Sequence, residues 1–482
     1  MRLGKALRAT VALVPLQRLT LIDLGVAMPH DCVPALLSRA TELLEAEFAA
    51  LPAFESSPDL GAMERVLADA AHRLGDNYPY FHPLYAGQML KPPHPVARAA
   101  YALAMTVNPN NHARDGGRAS SEMEIEAVRE IAAMLGWTES AGSYLGHLTS
   151  SGTIANLEAL WVAGQLAPGK RIVASEQAHY THHRISAVLR LEFTSVAADA
   201  SGHMSLDALE AELRKGDVGT VVVTLGTTAI GAVDRLDEVL ALKERFGFRV
   251  HVDAAYGGYF RLISDQLDEG ARRAYTATME ADSLVIDPHK HGLQPYGCGC
   301  VLFRDPAVGR LYKHDSPYTY FTSKELHLGE ISLECSRAGA AAVALWATQQ
   351  LLPLTPGGEF ARGLATGRAA ALDLDRRLRA DGRFEALAAG APELDIVVWK
   401  LKAPDAEQAS ELAQGIFAAC AARDLHLALV QLPLFWFEPA KNSEAGLVTC
   451  LRSVLMKREH AEWMDRIWDR LTAACGEVVG DS

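Results

Sequence analysis

Between residues 144 and 303 short apolar runs alternate with longer segments of helical periodicity, and this alternation constrains the fold more than any other feature. Strand-like runs at 144–148, 171–174, 193–196 and 220–224 each precede a helix-like segment, at 153–165, 181–190, 205–213 and 236–246. Two further runs follow, one through Phe248, Val250 and Val252 to Asp253, the other at 283–286 before Asp287. Repeated strand–helix units of this kind build a mostly parallel sheet with helices on both faces. The run at 299–303 follows across a short loop, which leaves it free to run antiparallel. Open sheets of this class bind ligands beyond the carboxyl ends of their strands. The residues just past each strand are therefore the ones to read for function.

The flanks differ. Segments 35–51 and 62–74 carry apolar residues at three- and four-residue spacing, so residues 1–90 read as a helical amino-terminal segment. A Pro- and His-rich stretch from Tyr78 to Pro95 reads as an ordered loop. In the polar loop 108–118 and its continuation, Ser120 or Ser121 is expected to cap a helix running to Leu135. Beyond residue 351 a helix at 359–378, strands at 396–401, 425–430 and 447–455, a helix at 407–422 and a final helix suggest a smaller α+β domain. The expected division is thus 1–90, 91–350 for the large α/β domain, and 351–482.

Composition narrows the class. With 49% hydrophobic and 22% charged residues the chain is an ordinary globular one, and its net charge of −13 argues against a nucleic-acid footprint. The seven cysteines are odd in number and lack any C-x-x-C spacing, so reduced thiols, no metal site and a cytoplasmic location are expected. Arg2, Lys5 and Arg8 precede an apolar run that Pro15, Gln17 and Arg18 cut short, so neither a signal peptide nor a membrane span is expected.

Four motifs fall at predicted strand ends. Ser150-Ser151-Gly152-Thr153 lies at a strand-to-helix junction, where backbone N–H groups and the helix dipole favour a phosphate. It matches neither a Walker A loop nor G-x-G-x-x-G. His179 follows the strand at 171–174 and can stack on an aromatic ring. Gly226-Thr227-Thr228 ends the strand at 220–224. Asp253 and Lys290, the latter preceded by His289, end two more strands. An acid that keeps a pyridine nitrogen protonated and a lysine that condenses with an aldehyde point to pyridoxal phosphate (PLP). Any one motif has an ordinary structural explanation; their joint order at strand ends does not.

With His251-Val252-Asp253-Ala254-Ala255-Tyr256 and Asp287-Pro288-His289-Lys290 in place, the chain resembles the group II PLP-dependent amino acid decarboxylases over residues 75–350, and more loosely beyond. The resemblance implies the aspartate-aminotransferase-like fold (fold type I), with a mostly parallel seven-stranded sheet. It also implies Lys290 as the Schiff-base lysine, Asp253 as partner of the ring nitrogen, and His179 stacked on the ring. Ser151, Gly152, Thr153 and His289 would hold the phosphate end, with Thr227, Thr228 and Ala255 beside the ring. Tyr318 or Tyr320 would deliver a proton from a catalytic loop, and Arg337 would hold a carboxylate or pack structurally. A homodimer with the site at its interface is implied as well, with no membrane or nucleic-acid partner.

The resemblance thus predicts an L-amino acid α-decarboxylase. His82 and Tyr85, beside Tyr80 and Phe81, could build an aromatic slot; His112, with Arg114 and Arg118, could receive an acidic side chain. The Asp287–Leu293 run looks most like prokaryotic tyrosine/aspartate decarboxylases, which favours an aromatic substrate over aspartate or glutamate. Rival readings are a sphingosine-phosphate-lyase-like or aldehyde-synthase reaction on the same fold, a cysteine desulfurase using Cys335, or a non-catalytic ligand-binding protein.

Overall fold

The computed structural model describes residues 32–54, 56–138, 144–313, 332–441 and 446–480. Tyr318 and Tyr320 lie outside the described residues. Helices α1 (Val33–Glu47), α2 (Leu60–Leu74), α3 (Pro95–Val107) and α4 (Arg118–Met134) lead into the α/β region. There β1 (Leu145–Thr149), α5 (Gly152–Leu166), β2 (Arg171–Ser175), α6 (Thr181–Leu189), β3 (Phe193–Val196), α7 (Leu206–Leu213) and β4 (Val218–Thr224) alternate as expected. The helix α8 (Leu236–Phe246) and strands β5 (Arg249–Asp253), β6 (Ser283–Ile286) and β7 (Gly299–Phe303) complete the region.

These strands form one seven-stranded sheet in the order β1-β7-β6-β5-β4-β2-β3. β7 runs antiparallel to both β1 and β6, while β6, β5, β4, β2 and β3 pair in parallel. Because β1 and β6 both oppose β7, they point the same way. Thr149, Ser175, Thr224, Asp253 and Ile286 therefore end at one edge of the sheet. Covering helices bury both faces, and β4 is buried along its whole length. Val221, Val222 and Val223 are each 0% exposed, and burying such a side chain is worth about 1.5–3 kcal/mol.

A second, four-stranded antiparallel sheet has the order β10-β11-β9-β8, from β8 (Phe384–Ala386), β9 (Ile396–Leu401), β10 (Ala428–Pro433) and β11 (Leu447–Val454). β10 starts later than its apolar run suggests. Residues 425–427 are committed elsewhere: His426 N donates to Leu84 O, and Ala86 N donates to His426 O. Nor does Ser120 or Ser121 cap α4. The helix begins at Arg118 after Gly117, and the Ser120 hydroxyl turns inward to Asn111 Oδ1 and Gly117 O. Among the described residues no helix is long and apolar enough to cross a membrane.

Candidate active site

At the shared strand edge a cavity of about 210 Å³ opens. Asp253, the last residue of β5, forms part of its wall and is 5% exposed. Asp253 Oδ2 accepts from His182 Nε2 at 2.8 Å and from Asn156 Nδ2 at 3.4 Å, and Oδ1 accepts from Ala255 N at 3.1 Å. Burial would raise this carboxyl, but the His182 bond, reinforced by the Lys290 charge, holds it well below the usual carboxylate range. Behind it Asn156 Oδ1 accepts from His251 Nε2 at 2.8 Å, and His251 Nδ1 meets Ser283 Oγ at 2.9 Å. Burial pushes His251 down to about 3, so this ring is neutral and its tautomer is set by Asn156.

Lys290 stands in a tight turn after β6, with its N donating to Asp287 O and its Nζ 3.0 Å from Asp287 Oδ2. It is the only lysine or arginine among the described residues lining the cavity. Opposite lies the start of α5, where Ser151 Oγ accepts from Ile154 N as helix cap. A Cβ at Gly152 would fall 2.6 Å from both Asp287 carboxylate oxygens, so any side chain there would displace that carboxylate. His179 follows β2, its Nδ1 2.8 Å from Thr181 Oγ1, and burial lowers its pKa below the ordinary value. His289 is likewise lowered by burial.

A carboxylate held ionised, an amine, neutral imidazoles and an open helix N-terminus in one cavity suit a phosphorylated, cationic heteroaromatic aldehyde. Residues 64–402 match the family model described as the pyridoxal-dependent decarboxylase conserved domain. The chain belongs to this family. It is 27% identical over 407 residues to the L-tyrosine decarboxylase of Levilactobacillus brevis, covering 64% of each chain, so it spans less than two thirds of that relative's length. The L-2,4-diaminobutyrate decarboxylase of Rhizobium meliloti is 34% identical over 226 residues, 44% of each chain. The crystal structure of Oryza sativa TDC with PLP and tryptamine has a TM-score of 0.74 at 18% identity, covering 94% of this chain and 99% of that one. That likeness shows the fold, type I with its mostly parallel seven-stranded sheet.

The cavity of this pyridoxal-dependent decarboxylase family member gathers most of the residues expected from sequence: Ser151, Gly152, Thr153, His179, Thr228, Asp253, Ala255, His289 and Lys290. Thr227 is not among them. It is wholly buried, and its hydroxyl accepts from Ala232 N at 3.0 Å, bracing the turn that presents Thr228. Arg337 also points elsewhere. Its guanidinium pairs with Glu124 and donates to Leu148 O and Asn111 O, a buried brace between α4 and β1. His82 packs edge-on against Trp463, and Tyr85 is buried beneath Lys457, whose Nζ donates to Tyr85 O at 2.6 Å. His112 lies in the polar loop, hydrogen-bonded through its backbone N to Asn110 Oδ1. None of these four lines the cavity within one chain.

Other residues at the site carry no strong sequence signal. Asn156 sits one helical turn beyond Gly152, on the same face of α5, a spacing that could have exposed it. His182, three residues after His179, is reached only through the fold. Arg452, on β11, is 4% exposed and donates to Thr228 O, Ala229 O and Gly87 O. It ties the threonine turn to the second sheet.

Proposed function

We propose that the protein is an L-amino acid α-decarboxylase that releases carbon dioxide and an amine, with an aromatic L-amino acid as substrate. The observation that carries this reading is the ionised Asp253 and the amine of Lys290 in one cavity of a family member. PLP bound there supplies the electron sink for the bond that breaks at the α-carbon. Lys290 holds its aldehyde end, Asp253 keeps the ring nitrogen protonated, and His179 covers a ring face without adding a charge. Ser151, Gly152 and Thr153 offer the α5 N-terminus to the phosphate, with His289 beside them. Thr228 and Ala255 border the ring. Tyr318 or Tyr320 delivers the proton that replaces the carboxylate.

Two facts support an aromatic substrate: the tyrosine decarboxylase relative, and a described cavity wall with no cation beyond Lys290 to receive an acidic side chain. His82 and His112 are half-buried and lie outside the cavity of one chain, which fits a site completed by a second copy, whereas Tyr85 is buried within its own chain. A homodimer is also supported by α2, which has no buried residue and leaves Leu60 and Val66 70% and 68% exposed. Its cysteines are unpaired, in keeping with a cytoplasmic enzyme.

Amine and carbon dioxide release, screened across the standard amino acids, tests the reaction. Aromatic substrates should turn over fastest; aldehyde, ammonia and peroxide as products would defeat it. Lys290→Ala should abolish both turnover and the visible absorbance of the holoenzyme. Equilibrium sedimentation should give a dimer, and a monomer would overturn that part.

A further inference from the structure

What stands behind Asp253 is as specific as what it faces. The charged and titratable groups around it come from three elements and the turns beside them. His182 lies on α6 and His179 just before it, His251 on β5 itself, and Asp287 with Lys290 after β6. Of these, His182 alone bonds the Asp253 side chain within ordinary hydrogen-bond length, at 2.8 Å. The Asn156 amide is a weaker donor at 3.4 Å to the same oxygen. His182 is 0% exposed, and its other ring nitrogen, Nδ1, has no hydrogen-bond partner among the described residues. Among the described residues the contact with Asp253 is therefore the one hydrogen bond that fixes this ring. Since a carboxylate only accepts, Nε2 must carry the proton.

We propose that His182 is a positioning residue, which fixes the orientation and charge of Asp253 and thereby sets how tightly the chain holds PLP. It acts through Asp253 and does not line the cavity. Without its donor, Asp253 would keep only the Ala255 N–H and the long Asn156 contact, and burial would push the carboxyl towards its neutral form. A neutral acid no longer pairs with a protonated ring nitrogen. The role rests on the cofactor assignment and not on the substrate.

The test is titration of the full-length apo chain with PLP, followed by absorbance between pH 5 and 8, in wild type and three variants. His182→Gln keeps a donor at the Nε2 position, His182→Asn is too short to reach, and His182→Leu has none. Leu and Asn should weaken PLP binding on the order of tenfold to a hundredfold, the range of a lost hydrogen bond to a charged group. Gln should stay within about threefold of wild type. The affinity of the Leu variant should also fall more steeply than that of wild type as pH drops. Leu binding PLP as tightly as wild type would overturn the role. Should Leu fail to fold, the Gln–Asn pair decides: a large gap supports the role, and equal affinities overturn it. A wild-type chain that did not bind PLP would overturn the cofactor assignment along with it.

Discussion

Gly152 shows how closely the phosphate end of the cavity is fitted. Its backbone is ordinary helix, so conformation does not demand glycine; space does. An added methyl would lie 2.6 Å from both Asp287 oxygens, a distance at which the buried Asp287 carboxylate beside Lys290, or the start of α5, must shift. Gly152→Ala is therefore expected to lower stability by about 1–3 kcal/mol, as overpacking does, and to weaken PLP binding more than tenfold. Thermal unfolding of the apo chain and a PLP titration check the two effects separately. At this scale the sequence shows residues that stand at the ends of apolar runs, which is why Asp253, Lys290 and Gly152 are legible in it. The role of His182 is not, because its partner Asp253 lies 71 residues away, and Asn156, 97 residues from Asp253, has only its helical spacing from Gly152 to mark it. For Arg337 the sequence leaves a carboxylate ligand and a packing role both open, and the structure shows the packing role. An arginine near a site suggests a carboxylate ligand, and it has one, but the carboxylate belongs to Glu124.

At the level of elements, that pair is what holds α4 against β1. Glu124 is 1% exposed; besides Arg337 it accepts from Leu148 N at 3.0 Å and from Asn111 Nδ2. Arg337→Met would leave this carboxylate buried and unpaired, a loss on the order of 3–5 kcal/mol. Adding Glu124→Gln to it should recover part of that loss, because the uncompensated charge is gone. Urea unfolding of the single and double variants measures both. Strands and helices of the α/β region are legible because a buried parallel strand is a continuous apolar run and its neighbours have a different period. Starts and ends are not, because long-range partners set them. Segment 425–427 has the apolar character of a strand but bonds with residues 84–86, and Ser120 has the character of a cap but bonds with Asn111.

Across the whole molecule, the two sheets meet through Glu393, just before β9. Its carboxylate accepts from His203 Nε2, from Arg235 Nη2 and from Val233 N, all on the larger sheet's connections. Burial would lower His203, but the Asp199 and Glu393 carboxylates outweigh it and raise the ring from an ordinary 6.5 to about 9, against some opposition from Arg235. A base raised in the folded state stabilises fully below its unfolded pKa. That contribution is then lost as pH climbs through the folded value. His203 should therefore add on the order of 2 kcal/mol near pH 6 that is gone above pH 9 or so, with Asp199 sharing the contact. Lys457 and Lys91 are lowered by burial to about 7 and about 8. As lowered bases they act with the opposite sign, and stability is regained as each loses its proton. The overall pH profile therefore mixes opposing trends, and only the difference from a variant isolates the histidine. His203→Gln should unfold at a clearly lower temperature than wild type at pH 6, and the gap should narrow steadily by pH 10. A gap that did not change with pH would mean that the His203–Glu393 contact joins the sheets by shape and neutral hydrogen bonding, without charge.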